Sequence, residues 1–170
     1  MSGERDGQGW LFQVAPEIGE SFDHYLGRFR RANCLSRSGL AELMAIETFT
    51  VRGWETPSLD RLPRTEHLKK VAVLMGVSEA DLRVMLPMAR SELHLETRLC
   101  PFCYGETPIH QNQWQRAKVG QCDCHDYPLL NRCPACGSGF RLPALWESGS
   151  CERCWLPFRD MRLYRGEPTS

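Results

Sequence analysis

The sequence predicts a helical amino-terminal domain followed by two small modules, each folded around a metal ion rather than an apolar core. Three observations predict it. Metal-type ligands recur in four pairs of x-x spacing: Cys100 with Cys103, Cys122 with His125, Cys133 with Cys136, and Cys151 with Cys154. Upstream of residue 99, apolar residues recur at helical spacing instead, between capping serines and breaking prolines and glycines. The segment from 100 to 154 is also too short to bury enough apolar surface unaided.

The pairing points to zinc. Two residues between ligands let a tight knuckle turn aim both side chains at one tetrahedral ion, and two knuckles complete the four-ligand shell of structural zinc. Eighteen residues separate the first pair from the second, and fourteen the third from the fourth. The reading is therefore two closed sites in succession: Cys100, Cys103, Cys122 and His125, then Cys133, Cys136, Cys151 and Cys154. Neither leaves a position for water, so both zinc ions are structural. Cys124 lies inside the second pair and is a rival for the place of Cys122 or His125; x-x spacing favours those two. Pro101 and Pro134 sit inside their turns and Gly137 follows Cys136, which suits a tight knuckle. Structural zinc supplies about 10–16 kcal/mol of folding energy per site. Disulfides would require an oxidising compartment, and no signal peptide is visible. A redox pair needs one Cys-x-x-Cys at a helix start, not four pairs in tandem.

The expected domains are residues 1–96, helical with an amino-terminal arm, then 97–130 and 131–170, the two zinc ribbons and a tail. The first nine residues are polar and glycine-rich and are expected to be disordered. Trp10, Phe12 and Val14 alternate as an extended arm. Trp10 and Phe12 either pack on the helices that follow or are offered to a partner protein, Trp10 as the anchor. Ser21 caps a helix to about Asn33 whose stripe is Phe22, Tyr25, Leu26 and Phe29. Arg28, Arg30 and Arg31 fall largely off that stripe. They form either a solvated face with favourable cations in the last turn or a contact to a nucleic-acid backbone. Cys34, outside the pairs, reads as a small buried residue.

Ser36 caps a second helix carrying Leu40, Leu43 and Met44, and residues 52–64, with Gly53, Pro57 and Pro63, read as a loop. Thr65 opens a third helix with Leu68, Val71, Ala72 and Met75 on one face, stopped by Gly76. Ser78 and Asp81 resemble a capping box opening a fourth, with Leu82, Met85 and Leu86, ended by Pro87. Ala72, Gly76, Val77 and Leu82 sit where a helix-turn-helix wants a small residue, a turn glycine and two core residues. Its second helix begins with Ser78, Glu79, Ala80 and Asp81, and two carboxylates there repel phosphates. The pair reads as a packing or protein-docking unit rather than a base reader.

Residues 88–98 read as a link. Within the metal region, His110 reads as a surface histidine and Trp114 as a cover for the first site. Arg116 and Lys118 share one face of a strand, a second candidate backbone contact. Phe140 and Leu142 form a short strand, and Leu145, Trp146 and Trp155 to Phe158 form an apolar cluster. The tail after Arg165 is polar and expected to fray.

Formal charge is zero, with 21 basic and 21 acidic residues. Residues 1–98 hold 13 basic and 14 acidic, residues 99–170 hold 8 and 7, and ligand thiolates make the second part more negative. That balance argues against a general duplex-DNA binder, and little sequence-specific duplex binding is expected. No apolar run approaches a membrane span. No Walker loop, nucleophile elbow or spare His–carboxylate–nucleophile set appears, so no enzyme is expected. Free zinc-ligating thiols fit a reducing bacterial cytoplasm.

The motifs together resemble a known family. Arg98-Leu99-Cys100-Pro101-Phe102-Cys103, Trp114-Gln115, Cys122-x-x-His125 and Leu129-Leu130-x-x-Cys133-Pro134-x-Cys136 resemble the TniQ family of transposition proteins. Gly19-Glu20-Ser21 and Gly27-Arg28-Phe29-Arg30-Arg31-Ala32-Asn33-x-Leu35-Ser36 are similar to its amino-terminal part. Leu142-Pro143-Ala144-Leu145-Trp146-Glu147 and the short length look most like the small TniQ of type V-K CRISPR-associated transposons. The resemblance covers roughly residues 10–160. It implies a helix-turn-helix domain, two zinc ribbons and a non-catalytic adaptor in RNA-guided DNA integration. Such an adaptor joins a target-bound CRISPR effector to TnsC, an AAA+ ATPase that forms filaments on DNA and recruits the transposase. It further implies contact with the guide-associated RNA scaffold. Longer relatives resembling TnsD bind attachment-site DNA; a protein like the short form is expected to lack their carboxy-terminal extension. The alternative is a small zinc-ribbon and helix-turn-helix DNA-binding regulator, which would bind bare duplex tightly and salt-sensitively.

Overall fold

Helix α1, Phe22–Ala32, supplies Phe22, Tyr25, Leu26 and Phe29 to the helical core and packs on the turn at residues 143–145. A computed structural model describes residues 12–56, 61–87, 89 and 92–164. Trp10, the polar first nine residues and the tail after Arg165 lie outside them. The stripe expected on α1 is fully buried at Phe22, Tyr25, Leu26 and Phe29. Ser21 is the cap residue, but its hydroxyl does not cap; it is taken by His110, 2.8 Å from Nδ1.

α1 ends in a Schellman turn. Cys34 donates its amide to Arg31 and Leu35 to Arg30, which satisfies two terminal carbonyls. This turn puts Cys34 at φ 53, where glycine is usual. Cys34 is therefore exposed, not buried as its type suggested. The same turn follows α2, Arg37–Leu43, where Ala45 takes φ 50 and Ile46 reaches back to Ala41. Ser36 caps α2 by accepting from the Gly39 amide at 2.9 Å. Leu40 and Met44 are buried, whereas Leu43 faces outward.

The stretch read as loop from residue 52 begins inside a helix, α3, Thr48–Trp54. Thr48, Thr50, Val51 and Gly53 are all weak helix formers, so local propensity hides it; burial of Val51 and Trp54 against the core holds it. α4, Thr65–Met75, and α5, Glu79–Met85, form as expected, with Gly76 at φ 69 between them. Ser78 caps α5 at the Asp81 amide, 3.1 Å away, and donates its hydroxyl to the Asp81 carboxylate.

Five helices thus close one core around Tyr25, Leu26, Phe29, Leu40, Leu68 and Leu82. A second core, from Leu99 to Met161, is built from the cysteine pairs with Trp114, Trp146 and Phe158. Its regular structure is slight: α6, Pro101–Glu106, and a hairpin of β1, Gln121–Cys122, and β2, Tyr127–Pro128. The register pairs Cys122 with Tyr127 and Gln121 with Pro128. Neither of the other expected strands forms. Arg116 lies just past a 3₁₀ turn, Asn112–Gln115, and Lys118 in the turn beyond it. Phe140 and Leu142 lie in no strand; Gly139 beside them makes an isolated bridge to Arg132. Loops this short, pinned at both ends by ligand pairs, have no length to spare for a ladder.

Candidate metal centres and their seam with the helical domain

Each ligand pair sits on a turn that its own backbone closes. Cys100 is the cap residue of α6, with Pro101 in the first turn, so Cys100 and Cys103 face the same way one turn apart. Cys122 ends β1 and His125 lies in the hairpin turn; the Asp126 amide closes it on the Cys122 carbonyl at 2.9 Å. Leu99 and Leu130 exchange both backbone hydrogen bonds at 2.9 Å and so bind the first knuckle to the hairpin. In the second half, the amides of Gly137 and Trp155 each return 2.8 Å to the carbonyls of Cys133 and Cys151.

These turns bring together the two predicted sets. The ligand atoms of Cys100, Cys103, Cys122 and His125 all lie within 4.8 Å of one another, as do those of Cys133, Cys136, Cys151 and Cys154. Cys103 Sγ is 3.4 Å from Cys122 Sγ and 3.2 Å from His125 Nδ1. His125 Nδ1 is 3.8 Å from Cys100 Sγ and 3.7 Å from Cys122 Sγ. In the second set the Cys133–Cys154 and Cys136–Cys151 sulfurs are each 3.5 Å apart. A tetrahedral zinc with ordinary bond lengths needs edges of about 3.6–3.8 Å. Both clusters fit it. Cys124 is exposed and outside the set, as x-x spacing favoured.

The protonation chemistry shows what an ion would relieve. Burial and the neighbouring thiols push Cys103 well above its ordinary range. Burial raises Cys133 to about 12, and the hydrogen bonds that its protonated thiol donates to Cys154 and Cys151 add to the rise. The Ser138 hydrogen bond lowers Cys136 to about 6. At Cys122 burial opposes ionisation, but hydrogen bonds from His125 and Cys103 outweigh it and bring the thiol to about 7. Thiolates packed this closely cannot all ionise without a cation between them.

His125 presents Nδ1 to the sulfurs and turns Nε2 to Glu106 Oε1 at 3.0 Å. A carboxylate behind a ligating imidazole fixes its tautomer and raises its basicity. Phe102 stacks on the ring at 5.4 Å. Glu106 was not among the expected residues; its helical offset of three from Cys103 was the one available signal.

The metal modules are joined to α1 along a polar seam. Ser21 donates its amide to the His110 carbonyl, and Asn112 donates its own to the Gly19 carbonyl, each at 2.8 Å. The Asn112 side chain also caps the end of α5, donating to Val84 and Leu86 at 3.1 Å. His110, expected at the surface, is fully buried edge-on to Trp114 and Trp146. Burial holds its ring neutral. Trp114 is also fully buried, in the same core as Cys100, Cys103 and Cys122, as a cover for the first site requires. Arg98 forks onto the carbonyls of Trp114 and Arg116, turning the expected link into part of the module. On the other side, α1 lies against the 3₁₀ turn Pro143–Leu145. A Cβ added at Gly27 would meet the Ala144 carbonyl oxygen at 2.3 Å, so only glycine permits the approach.

The candidate contact residues divide. Arg28 is paired with buried Glu20, which also accepts from His24. Arg30 is paired with buried Glu55, and Arg31 donates to the Ala144 carbonyl at 2.6 Å. Internal partners therefore engage the α1 arginines that were offered to a phosphate. Arg116 and Lys118 are exposed. Phe12 does not pack its ring on the helices: it is 54% exposed while its backbone is pinned by the Asn33 side chain. Val14 fills the packing role instead. Trp155, expected in the apolar cluster, is 70% exposed, while Phe158 and Trp146 are buried there.

No protein-family model matches the chain, and no characterised protein matches it. Among the described residues no helix is long and apolar enough to cross a membrane.

Proposed function

We propose that the chain is an adaptor of the TniQ kind in RNA-guided DNA transposition. It links a target-bound CRISPR effector and its guide RNA scaffold to TnsC, and does no chemistry itself. The observation that carries this reading is the seam. Two modules built on ligand turns and a five-helix core are tied together through Gly27, Arg31, Ser21, His110 and Asn112. The titratable groups buried there are spent on holding that body together. A body of this kind offers separate faces at fixed spacing, which is what bridging two partners demands. Both metal centres have four protein ligands, which leaves a zinc ion no place for substrate. The α4–Gly76–α5 unit, read as a helix-turn-helix, keeps Glu79 and Asp81 at its second helix start, which favours protein docking over base reading. Of the arginines lining the cleft of about 710 Å³ between α1 and the metal modules, Arg28 and Arg31 already have internal partners, which leaves the exposed Arg159 for an RNA backbone.

Reconstitution tests the proposal. The purified zinc-loaded chain should co-sediment with TnsC filaments on DNA and be required for integration directed by effector and guide RNA. Absence of both effects would sink the adaptor reading. Tight, salt-sensitive binding to bare duplex, without partners, would favour the regulator instead.

A further inference from the structure

Three of the four ligand turns close in the same way. The residue after the second ligand takes a positive φ and returns its amide to the carbonyl of the first: Asp126 at φ 50, Gly137 at 71 and Trp155 at 61. Glycine is indifferent to that region and aspartate tolerates it, but a bulky aromatic is disfavoured there. Gly137 and Trp155 hold corresponding places in the two halves of one site, and only one of them suits its backbone. Packing does not explain the tryptophan either, because its indole is mostly in solvent and meets no other ring among the described residues. A disfavoured backbone beneath an uncovered indole points to what the indole touches.

The indole borders a cleft of about 390 Å³ in the second metal module. Phe140, Trp146 and Phe158 form its other aromatic walls, and its charged and thiol lining is Arg141, Glu147, Glu152 and Cys151. Glu152 is paired with Arg141. Glu147 is exposed and makes no direct hydrogen bond or ion pair among the described residues, the Arg31 charge reaching it only through space. We propose that this cleft is a docking site for an arginine side chain of a partner polypeptide. Aromatic faces attract a cation, and a planar guanidinium stacks on an indole while its edge meets a carboxylate. With a zinc ion held by Cys133, Cys136, Cys151 and Cys154, the four thiolates would outweigh its charge and add negative potential beside the cleft. An anionic side chain would be repelled, and a neutral one would leave Glu147 unmatched.

The test uses the zinc-loaded full chain, its indole N–H resonances and capped peptides alike except for a central Arg, Lys, citrulline or Glu. The arginine peptide should shift the Trp155 resonance saturably. Citrulline, its neutral isostere, should bind about tenfold more weakly, and the glutamate peptide not at all. Trp155→Gly should keep both zinc ions and melt no lower than the parent, yet bind the arginine peptide at least about tenfold more weakly. Glu147→Gln should weaken binding severalfold with Trp155 in place. The proposal is overturned by citrulline or lysine binding equal to arginine, by preference for glutamate, by no saturable shift, or by undiminished binding to Trp155→Gly. No transposition component is needed, so failure here leaves the adaptor reading standing.

Discussion

Glu106 Oε1 lies 3.0 Å from His125 Nε2, on the side of the imidazole away from the three sulfurs. The carboxylate therefore holds the ring in the tautomer that offers Nδ1 to the metal. Glu106→Gln should lower zinc affinity at the first site by about tenfold. That is the low end of such effects, because Glu106 is 69% exposed on its side chain and partly solvated. Competition with a chromogenic chelator should show one weakened zinc and one unchanged; equal retention of both would remove Glu106 from the site.

Ligand identity is separable by metal counting. Cys124→Ser should retain two zinc ions per chain, because Cys124 is outside the cluster, whereas Cys122→Ser should lose one. Exhaustive chelation should abolish the protection of amides in residues 99–164, since little regular structure remains there without the ions. Hydrogen exchange after chelation checks it; an unaltered pattern would mean that the modules fold without metal.

Gly27 packs its α-carbon face on the Ala144 backbone, so Gly27→Ala cannot be accommodated by a side-chain rotation. The helix and the 143–145 turn must separate. A loss of about 1–3 kcal/mol is expected, as for an overpacked core. Thermal melting measures it, and proteolysis between the two halves should quicken. A helix propensity gain from alanine works in the opposite direction, and a stabilised variant would show that the seam yields easily.

Asp23 is buried, and burial raises its carboxyl to about 7, although the Ser21 hydroxyl and backbone amides lower it in part. In the unfolded chain an aspartate releases its proton near pH 3.9. The folded state therefore keeps a proton that the unfolded state has lost. The contribution of Asp23 to stability falls as pH rises from about 4 to about 7 and is level beyond. Asp23→Asn removes that fall. Relative to the parent, it should gain roughly 1–4 kcal/mol between about pH 5 and about pH 8. Chemical denaturation at matched zinc content checks the sign; a constant difference would show that Asp23 titrates normally.

What was legible in the sequence was what depends on local spacing. The eight ligands are fixed by x-x turns, and the α1 and α4 stripes by helical period. What was hidden depends on distant parts of the chain. His110 is a surface histidine by every local rule until Ser21, 89 residues earlier, is placed on its Nδ1. α3 is held by burial rather than by propensity. Cys34 and Ala45 look like ordinary small residues, yet both occupy a conformation that their side chains disfavour, set by the Schellman turns around them. The expected strands at 116–118 and 140–142 failed for a different reason: alternation records which side chains face inward but not whether a partner strand exists.

The bond from Arg31 to the Ala144 carbonyl spans 113 residues. While the protein is being synthesised, α1 emerges long before the turn that covers its glycine face. The helical core is free to condense early, but that face must wait until the 143–145 turn, which lies between the third and fourth ligand pairs, has been translated.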